Sequence, residues 1–392
     1  MRYDFETLVD RSHCGSGKWD EMREKNPGVA PEVVPLSVAD MEFKNAPEIQ
    51  EGIKAYVDSH ILGYTSPTEE YLQAVCGWMK EQHGWEIQPE WICGTHGVVT
   101  ALFMLVSAFC QPGDGIIILT PVYYPFYMAI DAHGCKTVRC PLVRQEDRYT
   151  IDFPLLEELA ADPDNKMLIF CSPHNPVGRV WTPEELKKVS HICHKNGVKV
   201  VSDEIHFDLV LPGHKHTVFS TVAEDPEDVI VCTAPSKTFN LAAMQTSNII
   251  IPKAQDREKF AAVRGKYADH DPCALGLEAC RVAYTQGKPW MEEMLSVIAG
   301  NYQFAKEFME TRLPQLKVTP LEGTYLLWVD CTALGLSKEA LEELMVHEAQ
   351  LFLDEGYLFG EEGAGFERIN LAVPQWVLQA ALERLEAAVK AL

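Results

Sequence analysis

Side chains that can act as an amide, an acid and an amine follow three apolar runs of the sequence. The run MLIFCS is followed by Asn175, the run VKVVS by Asp203, and the run DVIVCTA by Ser236 and Lys237. A lysine amine can form a Schiff base with an aldehyde, a carboxylic acid can keep a basic nitrogen protonated, and an amide can donate to a hydroxyl. Each residue alone has an ordinary explanation, because Asn-Pro starts turns, aspartate caps helices and a loop lysine is commonly solvated. Together they indicate one site if the fold brings the ends of these runs to one place.

The apolar runs alternate with helical segments between residues 90 and 255. GIIILT, KTVRCPL, MLIFCS, VKVVSD, DVIVCTA and SNIIIP are short and rich in β-branched residues, which is typical of buried strands. One of the helices between them has a clear start, since Thr182 is followed three residues later by Glu185. This alternation predicts an α/β fold with a mostly parallel sheet covered by helices on both faces. Ligands of such sheets bind outside the carboxyl ends of the strands, which is where the polar residues stand.

A lysine and an aspartate needed at one buried point suggest a cofactor with an aldehyde and a basic ring nitrogen. Pyridoxal 5′-phosphate carries both groups. Its phosphate needs donors, and the segment CGTHGVVTAL places Gly97 and Val98 at the start of an apolar helix, whose N–H groups suit an anion. Ser236 adds a hydroxyl. Tyr123, directly after the strand GIIIL and a Thr-Pro-Val turn, offers a ring face for the cofactor.

Composition and charge exclude several other classes. The chain has 392 residues with 34 basic and 57 acidic side chains, a net charge of −23 that is unsuited to nucleic acid or an anionic membrane surface. We expect no membrane span and no signal peptide, because the apolar runs are short and the start lacks a cationic segment before an apolar one. The 12 cysteines are scattered singly, which predicts reduced thiols and a cytoplasmic protein. We expect no metal site, since HICH and GHKH lack the partners of a metal motif.

The chain is predicted to have three parts. Residues 1–50 are irregular and proline-rich, and they are expected to form an N-terminal arm that also belongs to the small domain. Residues 51–285 contain the alternating segments and form the large domain that binds the cofactor. Residues 286–392 contain LKVTPLEGTYLLWVD followed by helix, strand and helix patterns, which indicates a smaller α+β domain.

The motifs GTHGVVTAL, TPVYYPF, SPHNPVG, SDEIH and APSKTFNLA, in this order and spacing, resemble the fold-type I pyridoxal-phosphate enzymes of the class I/II aminotransferase superfamily. The resemblance implies a large domain with a mostly parallel seven-stranded sheet covered by helices, plus a smaller C-terminal α+β domain. It implies that Lys237 forms the Schiff base, that Asp203 holds the pyridine nitrogen and that Asn175 donates to the ring hydroxyl. It also implies a homodimer in which Tyr64 reaches the phosphate of the neighbouring subunit.

The same resemblance implies roles for further residues around the cofactor and the substrate. Gly97, Val98 and Ser236 resemble the phosphate site of these enzymes, and Tyr123 resembles the residue that stacks on the ring and takes part in catalysis. The segment FERINLAVP resembles the one whose arginine, here Arg368, binds the substrate α-carboxylate, and the resemblance also implies that Asn175 binds the substrate. A guanidinium fork suits a carboxylate, so the residue type fits that role.

Two departures from ordinary aminotransferases resemble one subgroup of the superfamily. His206 stands where many members have a tyrosine, and Gln245 stands where they have an arginine for the phosphate. With LSVADMEF near the start, these features resemble the cystathionine β-lyase-like C–S lyases of the MalY/PatB type. In that subgroup the segment equivalent to Ala39 and Asp40 lies beside the substrate carboxylate. His206 is expected to lie beside the cofactor ring.

The resemblance implies β-elimination of cystathionine or another S-substituted L-cysteine to a thiol, pyruvate and ammonia. An aminotransferase is the first alternative, because both reactions use the same cofactor chemistry and differ in how the reacting groups are positioned. A regulator that binds a transcription factor, with little or no catalysis, is the second alternative. The full set of cofactor residues favours an enzyme that acts on a small amino acid.

Overall fold

The structure, a computed structural model, describes residues 2–392. The strands are β1 (Ile92–Thr95), β2 (Gly115–Thr120), β3 (Lys136–Pro141), β4 (Val143–Gln145), β5 (Arg148–Thr150), β6 (Asn165–Cys171), β7 (Lys199–Asp203), β8 (Val229–Thr233), β9 (Ser247–Ile250), β10 (Lys317–Val318), β11 (Leu326–Asp330), β12 (Asp354–Glu355) and β13 (Phe366–Asn370). The α-helices are α1 (Gly17–Lys25), α2 (Pro47–Ser59), α3 (Glu69–His83), α4 (Val98–Phe109), α5 (Pro125–Ala132), α6 (Phe153–Ala161), α7 (Pro183–Asn196), α8 (Pro235–Thr238), α9 (Ala254–Lys266), α10 (Ala274–Gln286), α11 (Lys288–Arg312), α12 (Lys338–Glu343) and α13 (Gln375–Lys390).

The central sheet of the described chain has seven strands in the order β1-β9-β8-β7-β6-β2-β3. The neighbours from β8 across to β3 are parallel, whereas β9 runs antiparallel to both β8 and β1. The predicted α/β fold with a mostly parallel seven-stranded sheet is therefore confirmed. Because β6, β7 and β8 are parallel neighbours, their carboxyl ends lie side by side.

Both faces of this sheet are covered, which explains why its strands are almost uniformly apolar. In β8, Val229 and Val231 belong to one buried cluster, while Ile230 and Cys232 belong to the cluster on the other face. Alternate side chains of a strand point to opposite faces, so a strand buried on both sides needs apolar residues at every position.

The capping box predicted from the sequence is present at the start of α7. The Thr182 hydroxyl accepts from the Glu185 amide at 3.2 Å, and the Glu185 carboxylate accepts from the Thr182 amide at 2.8 Å. Gly197, with φ of 68°, ends the helix in the left-handed region, where glycine is favoured. The chain then turns directly into β7, so this short connection fixes where Asp203 emerges at the far end of that strand.

The C-terminal part of the described chain forms an antiparallel sheet of four strands in the order β10-β11-β13-β12. The segment after α1 joins this sheet through its backbone, since the Leu36 amide donates to Phe352 and the Asn370 amide donates to Leu36, each at 2.9 Å. The N-terminal segment therefore contacts the small sheet. The exact division at residues 50 and 285 stays a prediction.

Within residues 2–392, no helix has both the length and the apolar character needed to cross a membrane.

Candidate active site

A cavity of about 200 Å³ lies at the carboxyl ends of the central strands, beside the start of α4. It brings together most of the residues that the sequence singles out. Its lining includes Ala39, Gly97, Val98, Tyr123, Asn175, Asp203, His206, Ser236 and Lys237. Parallel neighbouring strands place their last residues along one edge of the sheet, and that geometry gathers these side chains.

Lys237 stands on the short helix α8, which begins two residues after β8 ends. Its Nζ donates to the carbonyl oxygen of Ala39 at 2.7 Å. Burial and, to a smaller extent, the positive charge of Arg368 lower the pKa of the Lys237 amine to about 8, against the opposing effect of nearby carboxylates. A lysine with a pKa near 8 has a substantial neutral fraction near physiological pH, so it can act as a nucleophile or a base.

Asp203 is the last residue of β7 and is buried. Its Oδ1 accepts a hydrogen bond from the Ile205 amide at 3.1 Å. Burial raises the pKa of Asp203 to about 7, although the Ile205 amide and the charge of Lys237 counteract the shift. A nearby cation, such as a protonated ring nitrogen, would stabilise the ionised form of this buried carboxyl.

Arg368, on β13 of the small sheet, is buried and lies behind the lining of the cavity, which it meets through Asn175. Its Nη1 donates to Asn175 Oδ1 at 2.9 Å, and its Nη2 donates to Asp354 Oδ2 at 2.6 Å. Asn175 itself lies in the loop after β6 and lines the cavity. Because Oδ1 of Asn175 is used by the arginine, the amide nitrogen is the group that Asn175 can offer to a ligand.

His206 lines the cavity with its ring buried. Burial lowers the pKa of His206 well below its usual range, and the positive charges of Lys237 and Arg368 lower it further. The imidazole is therefore neutral. Its Nδ1 has no hydrogen-bond partner among residues 2–392, which leaves a buried polar atom available to a ligand.

Tyr325 is a site residue that sequence reasoning missed. It is buried, its ring lies edge-on to His206 at 6.2 Å, and its hydroxyl donates to the Ala39 carbonyl at 2.9 Å. The Ala39 carbonyl thus accepts from both Tyr325 and Lys237. Nothing in the pattern GTYLLWVD distinguishes this tyrosine from an ordinary core residue, so no sequence signal could have found it.

The end of the cavity near α4 has the features of an anion site. Gly97 immediately precedes α4 with φ of 96°, a backbone conformation in which an L side chain would be strained. The free N–H groups of the first turn therefore begin at Val98, on the wall of the cavity. Ser236 adds a hydroxyl to this wall, and Gln245 and Thr246 also line the cavity.

Tyr123 contributes an aromatic ring to the wall of the cavity. It follows β2, and its ring centroid lies 5.2 Å from that of Tyr124. Burial raises the pKa of the Tyr123 hydroxyl above its usual value. The side chain is therefore neutral and offers its ring face to a planar ligand.

Besides Arg368, two residues singled out from the sequence are absent from the lining of this cavity in the described chain. Tyr64 is fully exposed and lies beside Thr65 in a separate surface depression. The Asp40 carboxylate pairs with Arg11 and Lys18, each at 2.7 Å. Asp40 therefore anchors the N-terminal segment with its side chain, while its neighbour Ala39 lines the cavity.

The described residues 2–392 contain no group of three or more His, Cys, Asp or Glu side chains arranged to hold a metal ion.

Comparison with known proteins identifies the family. The family model described as aminotransferase class I and II matches residues 31–385. This chain belongs to that family. The match includes all residues that line the cavity, the central sheet and the four-stranded sheet, in agreement with the resemblance that the five motifs indicated.

Three known proteins illustrate what this chain is similar to. Cystathionine beta-lyase PatB of Bacillus subtilis is 41% identical over 98% of this chain and 99% of its own. The crystal structure of cystalysin from Treponema denticola, which contains a pyridoxal 5′-phosphate cofactor, has a TM-score of 0.98 and 52% identity and covers 100% of both chains. The PLP-bound C–S lyase from Staphylococcus hominis has a TM-score of 0.92 and 30% identity, covering 99% of this chain and 98% of its own.

Proposed function

We propose that this protein is a pyridoxal 5′-phosphate-dependent carbon–sulfur β-lyase. The reaction type is carried by its 41% identity to cystathionine beta-lyase PatB over nearly the full length of both chains. The cofactor is supported by the full-length similarity to cystalysin, whose structure contains it. The substrate is cystathionine or another S-substituted L-cysteine, and the products are a thiol, pyruvate and ammonia.

The side chains around the cavity fit this cofactor. Lys237 supplies the primary amine for its aldehyde, Asp203 supplies an acid for its ring nitrogen, and the amide of Asn175 supplies a donor for its hydroxyl. The unpartnered, buried Nδ1 of His206 offers one more polar atom to the ligand. The turn at Gly97 and the start of α4 offer N–H donors to its phosphate. When bound, the cofactor supplies a ring that withdraws electrons from the substrate α-carbon.

Each of four residues of this chain would have its own role in the proposed β-elimination. Arg368 binds the substrate α-carboxylate through charge-assisted hydrogen bonds, which orients the amino acid. Lys237 Nζ, in its neutral form, accepts the proton from the α-carbon, and its pKa of about 8 makes that form accessible. Asp203 holds the proton on the ring nitrogen. Tyr123, on the cavity wall, would stack on the cofactor ring.

The first prediction distinguishes a lyase from an aminotransferase. Purified protein given L-cystathionine is expected to release pyruvate and thiol in equal amounts, because loss of the sulfur group from the β-carbon commits the substrate to elimination. In a parallel reaction with an amino acid and 2-oxoglutarate, glutamate is expected to form far more slowly. Enzymatic detection of pyruvate and glutamate measures both. Glutamate formation without pyruvate would reverse the assignment to an aminotransferase.

We further propose that the active form is a homodimer in which Tyr64 reaches the phosphate of the neighbouring subunit. Ile61, Leu62 and Tyr64 are 92%, 61% and 112% exposed, which is an unusual run of exposed apolar side chains. A second copy of the chain would bury them. Light scattering of the purified protein is expected to give twice the mass of one 44.0 kDa chain, and Tyr64→Phe is expected to weaken cofactor binding without changing that mass. A monomer with full cofactor affinity would contradict the proposal.

We also infer that the protein works in a reducing compartment such as the cytoplasm. In the structure the 12 cysteines are free thiols, and Cys171 and Cys232 lie deep in the core beside Asp203. Buried single thiols of this kind behave as small apolar side chains.

A further inference from the structure

Arg368, the proposed ligand of the substrate carboxylate, is already held by a carboxylate of the protein. Asp354 and Arg368 are directly opposite each other in the register of β12 and β13. The Arg368 Nη2 to Asp354 Oδ2 distance is 2.6 Å, and the two residues are only 2% and 8% exposed. A buried guanidinium is costly without a counter-charge, so this pairing keeps the arginine stable inside the protein before any substrate arrives.

The pairing leaves the arginine able to bind a second carboxylate. A guanidinium has five N–H donors. In the described chain, Asp354 accepts from Nη2 and Asn175 accepts from Nη1, whereas Nε is buried and has no partner. The two protein contacts hold both terminal nitrogens of the guanidinium, and within residues 2–392 they leave Nε–H and one N–H of each terminal nitrogen unpaired. Asp354 therefore orients the arginine, and the unpaired N–H groups remain to donate to a second carboxylate.

The same oxygen of Asp354 also holds the backbone segment that lines the cavity. Asp354 Oδ2 accepts from the Val38 amide at 2.9 Å, and the Val38 carbonyl accepts from Asn370 Nδ2 at 2.8 Å. Val38 has φ of 53°, a left-handed conformation that a β-branched residue rarely adopts. Such a strained residue persists only where its surroundings hold it in place. The next residue, Ala39, carries the carbonyl that accepts from Lys237.

We propose that Asp354 is a positioning residue for recognition of the substrate α-carboxylate. It acts through Arg368, whose guanidinium it orients, and it ties that orientation to the Val38–Ala39 segment beside Lys237. The proposal rests on the function proposed above, because it takes Arg368 to bind the carboxylate. Since the arginine grips the carboxylate before and during the reaction, loss of its orientation weakens binding more than it slows turnover.

The test compares two ligands that differ only in the carboxylate. Glycine and methylamine are titrated into the cofactor-loaded parent and its Asp354→Asn variant, and the change in the visible absorbance of the cofactor gives each Kd. Asp354→Asn is expected to weaken glycine binding about tenfold, as for loss of one charge-assisted hydrogen bond. Methylamine binding is expected to change less than about twofold, and KM for the β-lyase substrate should rise with kcat within about threefold.

Two further variants separate positioning from general stability. Asp330→Asn weakens a different carboxylate–guanidinium pair, between Asp330 of β11 in the small sheet and Arg144 of β4 at 2.5 Å, and it is expected to lower Tm without changing the ratio of glycine to methylamine affinity. In an Arg368→Lys background, Asp354→Asn is expected to add less than about a twofold effect, because its action requires the arginine.

Two results would overturn the proposal. Tighter glycine binding by the Asp354→Asn variant would show that Asp354 competes with the substrate carboxylate. Equal weakening of glycine and methylamine would show a general structural role. Release of pyruvate by the parent is measured separately, so failure of the lyase assignment is distinguishable from failure of the role given to Asp354.

Discussion

Replacing Lys237 by alanine is expected to abolish the visible absorbance band of the purified protein and to lower pyruvate release from L-cystathionine by at least about a thousandfold. The variant loses both the amine that joins the cofactor and the base that takes the α-proton. Lys237 lies on the cavity wall, and within residues 2–392 its amine makes one hydrogen bond, to the carbonyl of Ala39 at 2.7 Å. Its removal therefore breaks little of the fold. Absorbance spectra and a pyruvate assay measure the two effects.

Lys199→Ala is the matched control for this prediction. Lys199 begins β7 at the end of the strand away from the cavity, where it pairs with Asp228 at 2.6 Å and Asp256 at 2.7 Å. This control variant is expected to keep the visible band and the rate of pyruvate release. A Lys237→Ala variant whose visible band is unchanged would show that another amine holds the cofactor.

Replacing Asp203 by asparagine is expected to leave part of the cofactor bound while lowering turnover by about a hundredfold or more. The amide is nearly isosteric and can still accept from the Ile205 amide, so the local fold should persist. It carries no charge, however, and cannot stabilise a protonated ring nitrogen in a buried site. Exchange of the substrate α-proton for deuterium, followed by NMR, measures the step that should slow.

Glu204→Gln provides the control for loss of a buried carboxylate at the same strand end. Glu204 accepts from Ser202 at 2.8 Å and from the Phe219 amide at 2.9 Å, and it contacts His216 at 2.7 Å. These are contacts within the protein core, so the variant is expected to lose stability but to retain proton exchange within about threefold. If Asp203→Asn exchanges the α-proton as fast as the parent, another group must protonate the ring.

The fold class and the strand-end residues were predictable because they depend on local patterns. Apolar runs at strand spacing, the capping box at Thr182 and Glu185, and the glycine that ends α7 each report on a few neighbouring residues. Parallel neighbouring strands then bring Asn175, Asp203 and Lys237 to one edge without further information. The resemblance to a family added Arg368, which local patterns alone would have left as an ordinary strand residue.

The contacts that connect the N-terminal segment and the small sheet to the cavity were beyond local reasoning. Tyr325 donates to the carbonyl of Ala39, a residue 286 positions away, and no spacing rule reports on such a pair. Asp354 belongs to a strand of two residues, too short to give a periodic signal.

The sequence alone determined which chemical groups this protein has at its strand ends, because the alternation of strands and the caps of helices depend on residues that are close together in the sequence. Only the tertiary structure decided how the arginine is held and which carbonyl faces the lysine. Those contacts depend on the register of short antiparallel strands and on the path of a distant segment, and both are fixed by packing between parts of the chain that are remote in sequence.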